Sequence, residues 1–381
     1  MAEELKVLMM GGHRCGKTSV LASMFYQAIN GDLCNILTLN NATTIQSKDN
    51  DIINSLENKR LELQYFIMKG GNRIFLADQN PTMTFGDYTL QLQIPRSRRY
   101  MEIVFRDSPG YIFETTSKHY EDTMNYAKEF DVFVVVVDTP YLMAGNEVEK
   151  EAANIKDDIH RFLMNMNRTE AVQVIFVPVK CERWMKEGQI DRVTQAVEEL
   201  YASTIRDLLA NEKIEVSIIP VETAGDIVFE ELRKSYVLCN NETGRQERCS
   251  LVEMNDTIVR LANGKIHQLR DCESVLEDIT SFFPSTSIER RNVWYSLWHN
   301  PKATYSPHNC EQLLISILRF IYKKYKRKNN PFLLHIMPLK SPFGGITIGE
   351  MEEVLRELSR TGLIKDSGDG IKILKSFSCD F

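Results

Sequence analysis

KVLMMGGHRCGKTSVLASMF, residues 6–25, decides the fold. A short apolar run ends at Gly11, and Gly16, Lys17 and Thr18 complete the spacing G-x-x-x-x-G-K-[ST]. Val20, Leu21, Met24 and Phe25 then recur at helical spacing. Strand, phosphate loop and helix come in the order that a nucleotide site needs. Gly11 and Gly16 let the backbone wrap a polyphosphate without side-chain clash. The amides of Gly12, His13, Arg14, Cys15 and Ser19 belong to the loop and helix N-terminus that face the anion. Lys17 is placed to reach the β and γ phosphates, and the Thr18 hydroxyl to hold Mg2+.

Around this stretch lies a chain of 381 residues, long enough for one large or two modest domains. It is 43% apolar and 26% charged, with a net charge of -6, which argues against nucleic acid as the main partner. The first residues enter a strand directly, so no signal peptide is expected. The longest apolar run, residues 132–137, is strand-sized, so no membrane span is expected and a cytoplasmic location follows. Eight irregularly spaced cysteines read as reduced thiols. Cys239, Cys249, Cys272, His308 and Cys310 lack the C-x-x-C spacing of a zinc site.

Taken in order, residues 4–10 form the first strand and the following helix runs to about Asn30. Residues 32–80 read as a helical insertion. Residues 83–94 and 100–106, joined by the charged turn at 96–99, must pair antiparallel. Residues 117–130, 146–166 and 189–209 read as helices, and 131–138, 172–179 and 215–220 as buried strands. The result is an α/β fold, a three-layer P-loop NTPase arrangement whose mostly parallel sheet contains one antiparallel strand. The core spans residues 1–232. Residues 233–308 form an accessory segment, weakly helical at 275–283. A helix covers 309–328, and its basic end, Lys323 to Lys328, suits the helix dipole as solvated cations, with a surface for an anionic partner as the alternative. Residues 331–381, a helix and a hairpin, make a small appendage loosely like half a winged helix.

Later positions at predicted strand ends agree with the loop. Asp107 is placed to hold Mg2+ through water, and the Gly110 amide to sense the γ-phosphate. Thr82, with Thr84 as the alternative, is chosen as the threonine that caps the metal. Glu182 supplies a carboxylate for guanine N1–H and the exocyclic amine, and Lys180 a stem to lie on the purine. Thr223-Ala224 suits a loop whose backbone meets guanine O6.

With those five motifs, the first 225 or so residues and the helix at 309–328, which closes the domain, resemble the P-loop GTPases of the translation-factor and Ras-like class. The resemblance implies GTP and GDP as ligands, Mg2+ as cofactor and partner proteins that sense the bound nucleotide. The long insertion and the V-K-x-E form resemble bacterial conflict-system, double-GTPase-like proteins. Three departures matter. Val179 stands where a polar strut to the phosphate loop is usual, and Glu182 where the family has Asp. Tyr111 follows Gly110 where many members carry the glutamine that orients the attacking water, which implies slow intrinsic hydrolysis. Arg14 resembles the loop arginine of guanylate-binding and atlastin proteins, an arginine finger set by homodimerisation; a solvated loop arginine is the alternative. Three functions follow in order of preference: a GTP-hydrolysing switch, a nucleotide-bound interaction module with little turnover, and a small-molecule kinase, for which the β-turn carrying Arg96, Arg98 and Arg99 makes a poor lid.

Overall fold

Leu5–Met10 forms β1, with Met9 level with Asp107 on one neighbour and with Val134 on the other. The chain is seen in a computed structural model that describes residues 5–12, 15–36, 58–61, 64, 74–75, 86–93, 100–113, 120–166, 169–240, 250–254, 258–261, 266–268, 288–299, 304–328 and 346–376. Two units are present. The first comprises Met1–Gly70, Pro81–Ile227 and Pro301–Phe381, and the second Gly71–Asn80 and Val228–Asn300.

After β1 come helix α1 (Lys17–Asn30), the short α2 (Leu33–Ile36) and strand β2 (Ile74–Phe75). Strands β3 (Gly86–Gln93), β4 (Tyr100–Asp107) and β5 (Val132–Asp138) follow, with α3 (Tyr120–Tyr126) before β5. Next are α4 (Thr139–Ala144), α5 (Glu147–Asn154), α6 (Lys156–Met164) and β6 (Val172–Val179). Helices α7 (Glu182–Lys186), α8 (Ile190–Leu200) and α9 (Ala202–Leu209) lead to β7 (Ile214–Ile218). Strands β8 (Val228–Asn240), β9 (Ser250–Met254), β10 (Ile258–Leu261), β11 (Ile266–Gln268) and β12 (Ile288–His299) make up most of the second unit. Helices α10 (Cys310–Lys328) and α11 (Ile348–Arg360) and strands β13 (Ser367–Gly368) and β14 (Ile371–Lys375) end the chain.

The first unit is built on the sheet β13-β14-β7-β6-β5-β1-β4-β3. β4, β1, β5, β6 and β7 are parallel, and β3 is antiparallel to β4. β5 and β6 are buried along their whole length because helices cover both faces, which is why both are rich in apolar, mainly β-branched residues. Parallel strands all end on the same edge, so the loops after β1, β4, β5, β6 and β7 gather there. On α10, Leu313, Leu314, Ile317, Leu318 and Ile321 are buried in the same core cluster as Val20, Leu21 and Met24 of α1.

Several expectations change. Residues 331–381 are not a winged-helix appendage. β14 pairs antiparallel with β7, so the hairpin extends the core sheet, and α11 buries Ile348, Met351, Val354, Leu355 and Leu358. Residues 331–345 lie outside the described residues. The core stops at Ile227, not at residue 232, because Val228 opens β8 of the second unit. That unit, for which the sequence offered no strands, is a sheet, β11-β10-β9-β8-β12-β2. Its long β8–β12 ladder joins residues from Asn240 with Ile288 to Val228 with His299, so no local turn announces it. Residues 275–283 lie outside the described residues. Ile74–Phe75, assigned to a helical insertion of the core, pairs with β12 instead. The helix expected over 146–166 is two, split at Ile155, whose φ of 41° is left-handed. The one expected over 189–209 splits at Tyr201. Lys323 and Lys324, read as solvated, are buried, paired with Glu215 and Asp131.

Candidate functional site

Sharp turning of the chain after β1 depends on two glycines. Gly11 has φ 146° and a Cβ there would lie 2.7 Å from the Val136 carbonyl oxygen. Gly16 has φ 111° and precedes α1, whose first turn begins with Val20 N–H bonding Gly16 O at 2.9 Å. Both are conformations that only glycine adopts without strain. Lys17 is 5% exposed and folds back over the loop, its ammonium donating to the Gly11 and Gly12 carbonyls at 2.9 Å each.

Beside it the Thr18 hydroxyl donates to Asp107 Oδ2. Asp107 ends β4 and is fully buried, and the next hydroxyl, Ser108 Oγ, donates to Met9 O at 2.5 Å. Thr18 and Asp107 thus place hard oxygens side by side at the start of α1, a donor set that suits Mg2+. Gly110 begins a 3-10 turn, Gly110–Phe113, that also contains Tyr111. His13, Arg14, Thr82, Thr84 and the arginines at 96, 98 and 99 lie outside the described residues.

On the far side of the loop, Lys180 follows β6 in a left-handed conformation, φ 60°, and its ammonium pairs with Asp138 Oδ2 at 2.6 Å. Glu182 opens α7 with its carboxylate fully buried, and Oε1 accepts from Ala224 N–H at 2.9 Å. The carboxylate and the amide expected to read guanine therefore lie together, bonded to each other. Burial pushes the Glu182 pKa up, and the nearby backbone amides of Glu182, Ala224 and Gly225 pull it part of the way back. Thr223 O accepts from Ser23 Oγ of α1 at 2.8 Å, which ties this loop to the helix that follows the phosphate loop. Glu222, next in the loop, is pushed up to about 8 by burial and by the charge of Glu182.

Three groups here escaped the sequence reading. Asp138 ends β5, Asn154 ends α5, and the Ala153 carbonyl sits where a Cβ on Gly12 would approach to 2.1 Å. Cys15, also buried, lies among Lys17, Asp138, Lys180 and Asp107, with burial raising its pKa. An acid at the end of the buried run VFVVVVD is the one local signal that could have marked Asp138. Among the described residues no cluster of three or more His, Cys, Asp or Glu side chains could hold a metal, and no helix is long and apolar enough to cross a membrane.

The strand order with its phosphate loop, and the acid that meets the loop threonine, define a P-loop nucleotide-binding fold. Residues 7–230 match the Double-GTPase 2 family, and the chain belongs to that family of GTP-binding GTPases. The sequence matches no curated protein. Among solved structures, the GTPase-like domain of Ski7 from S. cerevisiae bound to GDP and inorganic phosphate is similar, at 12% identity and a TM-score of 0.32. The alignment covers 79% of this chain and 76% of that one. The same domain bound to GTP gives the same identity, coverage and TM-score.

Proposed function

We propose that the chain binds Mg2+ and GTP in the loop at 11–18, hydrolyses GTP slowly, and uses the change of nucleotide as a switch. The observation that carries this is the Thr18–Asp107 pair beside the Lys17 ammonium. Thr18 and Asp107 would hold the ion, directly and through water, and the bound ion would neutralise charge between the β and γ phosphates. Lys17 would exchange the Gly11 and Gly12 carbonyls for phosphate oxygens. Gly110 would donate its amide to the γ-phosphate, and Thr82 would cap the metal. At the base, Glu182 would accept from guanine N1–H and the amine, the Ala224 amide would turn from Glu182 to guanine O6, and Thr223 would hold that loop to α1.

Segments around Thr82 and residues 107–111 would be ordered by the γ-phosphate and released after hydrolysis, which changes affinity for a partner protein. The resemblance to conflict-system GTPases supports a role in bacterial defence, and the absence of a spanning helix among the described residues is compatible with a cytoplasmic place of work. Tyr111 favours a second reading, an interaction module that holds GTP with little turnover, because a tyrosine cannot orient water as a glutamine does. Arg14 delivered by a homodimer would restore the rate. Turnover measured against protein concentration separates the two. A rate that rises with concentration and is lost in Arg14→Ala supports the dimer-activated switch, and a flat, negligible rate supports the module. In Asp107→Ala, nucleotide binding should persist while Mg2+-dependent turnover is lost; unchanged turnover contradicts the metal assignment.

A further inference from the structure

Asp138 and Val179 are direct partners in the parallel β5–β6 ladder, so the acid stands next to the residue that precedes Lys180. Val179 is apolar and offers the base-reading loop no polar tie to the phosphate loop. Asp138 supplies one from the neighbouring strand. Its carboxylate holds the Lys180 ammonium at 2.6 Å, and both side chains are about nine-tenths buried or more. Its own backbone is fixed in turn, since Asp138 N–H donates to Asn154 Oδ1 at 2.7 Å. Asn154 Nδ2 donates to Lys150 O at 3.0 Å, and the Tyr201 hydroxyl donates to Asn154 O at 2.8 Å. Ala153, the residue before Asn154, is the one whose carbonyl packs against Gly12 of the phosphate loop. One short segment therefore braces both loops.

Lys180 needs such an anchor. A non-glycine residue at φ 60° stays there only where its surroundings over-determine it. A long lysine stem also has four rotatable bonds, and fixing its head selects one path for the stem. A stem with one path presents a flat apolar wall, and a purine ring gains contact from it without ordering cost.

We propose that Asp138 is a positioning residue for nucleotide base recognition: it pins Lys180 so that the lysine stem forms one wall of the purine site. This rests on the reading of residues 180–182 and 223–224 as the base site. The stem recognises a purine face, not a guanine edge, so Asp138 governs affinity for the base while Glu182 governs which purine is chosen.

The test compares GTP with inorganic tripolyphosphate, both with Mg2+, by calorimetry on the full chain. Tripolyphosphate reports the phosphate loop alone. Asp138→Asn should weaken GTP on the order of tenfold, the loss of one charge-assisted bond, and leave tripolyphosphate within about twofold. The double variant Asp138→Asn with Lys180→Met removes both buried charges and keeps an apolar stem, so it should fold and recover GTP binding to within about threefold. If Asp138→Asn weakens both ligands equally, or if it fails to fold and the double variant shows no recovery of GTP over tripolyphosphate, Asp138 only supports the fold and the proposal falls. If wild type prefers GTP and Asp138→Asn keeps the whole preference, the anchor alone is wrong. If wild type binds GTP no better than tripolyphosphate, the base site itself is wrong, and the anchor with it.

Discussion

At Lys17 the ammonium bonds two loop carbonyls, contacts that phosphate oxygens would take over. Lys17→Ala should therefore weaken GTP roughly 10²-fold in a binding titration, the scale of charge-assisted bonds to phosphate. Glu182 makes the site sensitive to acid. It must be ionised to accept from guanine N1–H, and burial raises its pKa, so GTP affinity should rise with pH through that pKa and level off above it. Tripolyphosphate binding should lack that component, and Glu182→Gln should remove it. Glu222 bears on stability in the same region. Its folded pKa of about 8 stands above the ordinary 4.5, so between those values the folded state keeps a proton that the unfolded chain has released. Its contribution to stability is lost as pH rises through that window, and Glu222→Gln should flatten the fall in Tm from pH 6 to pH 8. Lys17, Thr18 and Asp107 were legible because the loop motif is contiguous and an acid ends the strand beside it. Asp138 and Asn154 were not, because their meeting depends on strand register and on the break at Ile155, which no residue pattern announces.

Helix α10 shows what pattern reading finds and misses within one element. Its apolar stripe was plain, since Leu313, Ile317 and Ile321 recur at helical spacing. Its basic end was misread, because a lysine run looks solvated until β7 and the residue before β5 bring Glu215 and Asp131 to it. Lys323→Ala removes the ammonium 3.0 Å from buried Glu215 and should cost about 3 kcal/mol in chemical denaturation. The C-terminal hairpin went astray for a related reason. β14 pairs with β7, a partner far upstream, so helix and hairpin looked independent. Truncation after Gly362 removes the strand that covers the β7 edge. The first unit should lose stability and cooperativity, whereas loss of a detached appendage would leave its denaturation midpoint unchanged.

For the whole molecule, the alternation of strands and helices through Ile218 was enough to reach a mostly parallel sheet with one antiparallel strand, because each parallel step needs a crossover. The second unit was not legible. Its strands draw on two separated segments, Gly71–Asn80 and Val228–Asn300, and pair mainly with each other. The ends of the longer segment are held close by two antiparallel bridges in the first unit, Glu222 to His308 and Gly225 to Tyr305. A short linker replacing residues 228–300 should therefore leave a first unit that folds and binds GTP, measured by circular dichroism and titration. The central claim is that the site at the ends of β1, β4, β6 and β7 selects GTP through its base. Competition of GTP and ATP for the Mg2+-loaded full chain tests it most directly. GTP should bind tighter by tenfold or more, on the order of what hydrogen-bonded base reading supplies, and Glu182→Gln should erase the difference. Equal affinities, or tighter binding of ATP, would contradict it.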